Sequence, residues 1–254
     1  YGEIVVPGAS YISSLVQIAY DDLNALEVFF DYMQLIQPFI IKDEYSYKLV
    51  TFLEEQEDGK FAFSIKSYQA HHDAWVQHAE GVISVSKDIK SLGGNRDILS
   101  EVRLMPSRKK EDQVYKHINQ VSLDYGFHLR WAQNFYYDDT KVWVELRKPT
   151  VDEFEDHIIF PPMADVFWHG GLAFIEDGGS QDFYAPYRVD EVTFSIGDKP
   201  PRWICFTLQA FTDKKGTKAK VEIYDEDSHQ IGLIDKYTAK YAPAYLFLSQ
   251  LKQI

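Results

Sequence analysis

An aspartate and a histidine four residues apart, inside an otherwise apolar run, form the pair most suggestive of chemistry in this sequence. The run is Phe160-Pro161-Pro162-Met163-Ala164-Asp165-Val166-Phe167-Trp168-His169-Gly170-Gly171. On a helix, positions i and i+4 share a face, so the His169 ring can reach and orient the Asp165 carboxyl. Met163, Val166, Phe167, Trp168 and Leu172 give the Asp an apolar neighbourhood. Burial favours the protonated form of a carboxyl, and a protonated carboxyl can give its proton to a leaving group. Spacing alone favours a plainer reading, an Asp–His pair that stabilises a helix start. A second cluster, His71-His72-Asp73 with His78, has the residue types of a metal site. It falls on a turn and the strand after it, where successive side chains point to opposite faces and do not converge. A solvated turn followed by a half-buried strand is expected there instead. No GxxxxGKS/T or GxGxxG glycine loop, GxSxG elbow or HExxH helix is present, so those nucleotide, serine-hydrolase and zinc chemistries have no motif to rest on.

The elements that must position these residues come from a chain of 254 residues, with 26 Lys plus Arg against 39 Asp plus Glu and a net charge of −13. At about 150 residues per domain, this suits one large or two fused domains. A hydrophobic share of 45% and an aromatic share of 15% support a packed core and exclude a disordered chain. The acidic balance leaves no basic excess for a nucleic acid or an anionic membrane. The lone Cys205 excludes an intramolecular disulfide and a Cys-rich metal site, and fits a reducing cytoplasm. No run approaches the 18 or so apolar residues of a membrane span.

A strand end at 3–7 leads into Pro7-Gly8, after which apolar spacing predicts a helix from Ala9 to Leu26. Strands are predicted at 27–41, 45–55, 60–68 and 74–86, with Asp58-Gly59 as a hairpin turn. Loop residues Ser91 to Asn95 and the charge cluster Arg108-Lys109-Lys110-Glu111-Asp112 mark a linker. Strands resume at 129–137 and 141–147. Pro161-Pro162 opens a second helix, Met163 to Ile175, which Asp177-Gly178-Gly179 ends. Strands near 188–196, 202–212, 217–225 and 230–237 complete the chain. The order describes an α+β protein with a duplicated architecture: two long apolar helices, each embedded against antiparallel sheet.

Four stretches stand in a recognisable order. Gly2, Pro7, Gly8 and Ala9 lie in Gly2-Glu3-Ile4-Val5-Val6-Pro7-Gly8-Ala9; Ser67, Trp75, His78, Ala79 and Gly81 follow; then Tyr125-Gly126-Phe127-His128-Leu129; then Pro162, Asp165 and His169. In these stretches and their order, over nearly the whole chain, the sequence resembles the dehydratase domain of modular polyketide synthases. Each motif alone is weak; four in order are fairly specific. The resemblance implies a double hotdog: an N-terminal hotdog at 1–95 lacking its first strand, a linker at 96–118, and a C-terminal hotdog at 119–254, together one catalytic domain of a larger synthase.

The activity it implies is dehydration of a β-hydroxyacyl thioester on an acyl carrier protein, a lyase reaction. Asp165 is then the acid, His169 its positioning partner, and Tyr125 a wall of the substrate tunnel near them. The Gly2 N–H would polarise the thioester carbonyl, with Pro7, Gly8, Gly126 and Phe127 also toward substrate, and His78 is structural. The first motif's base His would fall three residues before Tyr1, outside this sequence, and the chain starts without a Met, as if cut from a longer polypeptide. The third motif departs from the family's YGPxF, reading Tyr125-Gly126-Phe127. Alternatives on the same fold are β-branching by conjugate addition, pyran cyclisation or a double-bond shift, and a catalytically silent scaffold; Pro7 and Asp165 argue against the double-bond shift. No metal or redox cofactor is implied, because the phosphopantetheine arm arrives with the substrate. The implied partners are an acyl carrier protein and neighbouring synthase domains. Family members often form homodimers, though nothing in this sequence marks a dimer surface. The cluster Arg108 to Lys110 is the one candidate for a basic docking patch, against the plainer reading of a solvated linker.

Overall fold

Pro7-Gly8 hands the chain into helix α1, Ala9–Leu23, as the apolar spacing predicts. Its buried stripe is Ile12, Leu15, Val16 and Ala19, and each fully buried aliphatic side chain contributes about 1.5–3 kcal/mol. Asn24 closes the helix in the left-handed conformation, φ 52, and Ala25 donates its N–H to the Ala19 carbonyl. The computed structural model describes residues 4–70, 73–89, 92, 94–120, 124–150, 157–174, 184–197, 199–212 and 216–241. No helix among them is long and apolar enough to cross a membrane.

Around α1 lie β1 (Ile4–Val6), β2 (Glu27–Leu35), β3 (Phe39–Ile41), β4 (Tyr47–Glu55), β5 (Phe61–Gln69) and β6 (Ala74–Ser86). The single strand expected over 27–41 is therefore two, parted at residues 36–38, where Pro38 has no N–H to offer a ladder. The expected linker at 96–118 is also structured. It holds α2 (Ile98–Leu104), β7 (Ser107–Lys110) and most of α3 (Glu111–Gln120). The Asp97 side chain caps α2 by accepting from the Ser100 N–H. Helix α2 packs on Trp143, Trp203, Cys205 and Tyr224, and burial there pushes the Cys205 thiol up to about 12. A short 3-10 turn (Phe127–Leu129), β8 (Ala132–Tyr137) and β9 (Lys141–Leu146) follow.

Helix α4, Pro161–Asp165, is one turn of α-helix that tightens into a 3-10 segment, Val166–Phe174. This corrects the expected long second helix. Gly170 and Gly171 each cost an α-helix about 1 kcal/mol. A Cβ on Gly170 would also stand 2.3 Å from the Cβ of Phe206, so the segment lies flush on the sheet. The expected stop, Asp177-Gly178-Gly179, lies outside the described residues. Strands β10 (Tyr184–Ser195), β11 (Trp203–Thr212), β12 (Gly216–Tyr224) and β13 (Gln230–Tyr241) close the fold.

Among the described residues, eleven strands make one sheet, ordered β4-β5-β6-β2-β10-β13-β12-β11-β9-β8-β7; β1 and β3 pair separately. The order repeats by reflection about the β2–β10 seam. In each half the strand that follows the helix is innermost, and the next three return from the outside inward. The seam runs antiparallel from Arg188↔Gln34 to Ser195↔Glu27. Phe30 carries the core across it, with its ring centroid 6.3 Å from Phe63 and 6.5 Å from Phe194.

Candidate active site

The entry to α4 is built by its prolines. Phe160 is extended, Pro161 and Pro162 occupy the first helical positions, and Met163 and Ala164 donate back to the Phe160 carbonyl at 2.9 and 3.1 Å. Helix α1 holds this entry in place. The Ser13 hydroxyl donates to the Ile159 carbonyl, and the Ile158 N–H donates to Gln17 Oε1 at 3.0 Å. Asp165 therefore ends a turn fixed from both sides.

Asp165 is 5% exposed and His169 2%. His169 Nε2 lies 3.2 Å from Asp165 Oδ2, as the i, i+4 spacing predicts. His169 Nδ1 lies 3.1 Å from the hydroxyl of Tyr115, a buried residue of α3. The half-buried Tyr125 sets its ring edge-on to His169 at 4.9 Å, and its phenol feels the charge of the Asp165 carboxyl. From β13, Tyr237 stacks on Trp168 at 4.7 Å. Burial first, and then the charge of Asp165, raises the Tyr125 and Tyr237 phenols well above their ordinary range. Both phenols therefore stay protonated. Arg130 clamps the outside: its Nε donates to the Tyr125 carbonyl at 2.6 Å, and its guanidinium lies 5.6 Å from the Tyr115 ring centre.

One carboxyl, one imidazole and one phenol joined in series by hydrogen bonds, with a second phenol ring edge-on to the imidazole, are equipped to move a proton and hold its donor in one orientation. Tyr115, Tyr237 and Arg130 escaped the sequence reading. For Tyr115 a signal existed, since Val114, Tyr115 and Ile118 have helical apolar spacing, but the charged residues before them led the stretch to be read as linker.

The other expected site residues are placed differently. Gly2 lies outside the described residues. Pro7 and Gly8 shape the start of α1: the Pro7 carbonyl accepts from the Ser10 N–H, and a Cβ on Gly8 would meet Leu35 at 2.6 Å. Gly126 has open space beside it, and Phe127 is 80% exposed. These two flank Tyr125 at the surface and do not enter the buried cluster. His78 is buried with Nε2 2.8 Å from Ser67 Oγ and its ring 4.8 Å from Phe39. Asp73 accepts from the Tyr68 hydroxyl at 2.6 Å, and His71 and His72 lie outside the described residues. Gly81 is required by packing, because a Cβ would stand 2.1 Å from the Tyr32 carbonyl oxygen.

The basic cluster is not a linker, and Arg108 and Lys110 are exposed. It forms the edge strand β7, where Arg108 donates to Asn134 Oδ1 at 2.7 Å and Lys109 to the Ala173 carbonyl at 3.0 Å. A shallow concavity of about 420 Å³ opens beside it, lined by Arg108, Lys110, Asp112 and Gln113, with both signs of charge.

Residues 98–244 match the family model described as the polyketide synthase dehydratase N-terminal domain. Polyketide synthase PksN of Bacillus subtilis (strain 168) is 22% identical over 232 residues, which are 84% of this chain and 4% of that protein. The chain thus spans a small part of this curated relative. Among solved structures, the dehydratase domain from the CurJ module of the curacin polyketide synthase superposes with a TM-score of 0.83 at 19% identity, over 98% of this chain and 86% of that one. A trans-AT polyketide synthase dehydratase domain from Brevibacillus brevis gives 0.83 and 19%, over 95% and 87%. These likenesses show the fold, and the expected double hotdog is borne out.

Proposed function

Since this chain belongs to the polyketide synthase dehydratase family, we propose that its Asp165 centre takes part in removing water from a β-hydroxyacyl thioester on an acyl carrier protein. The product is an α,β-unsaturated acyl thioester. The observation that carries the reading is the buried Asp165 held by His169, against whose ring Tyr125 packs edge-on.

Hydroxide is a poor leaving group, so the β-hydroxyl must be protonated as its C–O bond breaks. Asp165, in its protonated form, gives that proton, and the hydroxyl departs as water. The α C–H bond breaks in turn, its proton passes to a base, and its electron pair forms the new C=C bond. The family's base His belongs to the first motif and falls outside the 254 residues. His169 does not replace it, because both of its ring nitrogens are engaged within the acid cluster. In this reading the described residues supply the acid half of the reaction. Polarisation of the thioester carbonyl by a backbone N–H such as that of Gly2 would acidify the α-proton. The phosphopantetheine arm would arrive with the carrier protein, and neighbouring synthase domains would supply and take on the acyl chain.

The test offers a β-hydroxyacyl carrier protein to the domain extended upstream of Tyr1 to include the first-motif position, and follows loss of water by mass. Asp165→Asn is expected to abolish dehydration, by about 10²-fold or more, while the folded protein persists. Dehydration retained in Asp165→Asn would remove the acid role. An intact domain that turns over only an unsaturated acyl substrate would replace dehydration with a sister reaction.

A further inference from the structure

His169 has two ring nitrogens, each with one partner, and which of them carries the proton decides what His169 does to Asp165. The Tyr115 hydroxyl settles this: it is buried, and its hydrogen bond is to His169 Nδ1. A buried O–H left without an acceptor is costly, so the phenol's own proton is directed to Nδ1. Nδ1 must be the bare, accepting nitrogen, and Nε2 carries the N–H that donates to Asp165 Oδ2.

We propose that Tyr115 is a positioning residue of this site: it fixes His169 as the Nε2–H tautomer, commits Asp165 Oδ2 to accepting, and leaves Oδ1 to carry and deliver the proton. The delivery clause rests on the dehydratase reading; the tautomer rests on geometry. In the opposite tautomer a bare Nε2 would accept the Asp165 proton and hold it on Oδ2, away from substrate. Burial above all raises the Tyr115 phenol, so it remains an O–H donor at any working pH. Arg130 steadies the relay by covering the Tyr115 ring and anchoring the Tyr125 carbonyl.

Nitrogen-15 NMR of histidine-labelled protein reads the tautomer without substrate. The wild type is expected to show a protonated Nε2 and a bare Nδ1 at His169, and Tyr115→Phe a shift toward Nδ1–H or a mixture. In turnover, Tyr115→Phe is expected to lower kcat about 10- to 100-fold with little change in KM. In a His169→Gln background, whose amide has no tautomer to fix, the same substitution should change kcat less than about twofold. A protonated Nδ1 in the wild type, an unchanged tautomer in Tyr115→Phe, or equal losses in both backgrounds would overturn the proposal. Should Tyr115→Phe not fold, the wild-type spectrum alone decides. A correct tautomer in a domain that dehydrates nothing would overturn the dehydratase reading and the delivery clause, and leave the tautomer assignment standing.

Discussion

At His78, burial and hydrogen bonding act in opposite directions on one imidazole. Desolvation lowers its pKa below the ordinary 6.5, outweighing the Gln37 and Pro38 backbone groups that raise it. On unfolding, the ring regains its ordinary value and takes a proton at a pH where the folded ring stays neutral. The unfolded chain then binds more protons, so stability falls as pH drops below about 6.5 and is fully present above it. Urea midpoints measured between about pH 7.5 and pH 5.5 should decline, and His78→Gln should flatten the decline. An equal slope in the variant would show that His78 does not titrate this way. The same residue shows what a motif means physically. The Ser67, His78 and Gly81 signature reads as a family mark, and each member proves to answer a packing demand: a buried hydroxyl–imidazole pair and a glycine pressed onto the Tyr32 carbonyl.

At the level of elements, the turn that carries Asp165 and His169 depends on how closely it sits against β11. Gly170→Ala would press a methyl group into Phe206 and push the 3-10 segment off the sheet. The expected cost is about 1–3 kcal/mol in urea unfolding, with kcat lowered because His169 moves with its neighbour. An Ala variant of wild-type stability and activity would show that the segment has room to shift. This element also marks where legibility ended. The strands of both halves, helix α1 and the Asp165–His169 contact follow from period-2 and period-3.6 patterns, which are local and survive without tertiary information. The 3-10 geometry does not, because it is set by a phenylalanine 36 positions away in sequence. Nor does α3, whose charged first turn resembles linker until β7 and β8 provide something to pack on. Tyr115 was lost with that helix, and with it the second partner of His169.

Across the whole molecule, the two hotdogs share a sheet as well as a chain. Strand β10 bonds to β13 on one side and to β2 of the first half on the other, so the seam is a full ladder. The core is equally continuous: Phe30 of the first half meets Phe194, which stacks on Phe167 beside Asp165 at 5.9 Å. Helix α1 of the first half likewise holds the entry to α4 of the second through Ser13 and Gln17. Neither half can open without exposing the other's apolar face and unpaired backbone groups, which favours one cooperative transition over two. Two probes can divide the halves. Tryptophan emission is dominated by Trp131, Trp143, Trp168 and Trp203 of the second half, since the first half holds only Trp75. Hydrogen exchange at the β5 amides reports on the first half. Their urea midpoints are expected to coincide, and Asp165 chemistry should be lost at that same midpoint. An earlier β5 transition with emission unchanged would mean that the halves fold independently and that the seam is a contact between domains, not part of a single core.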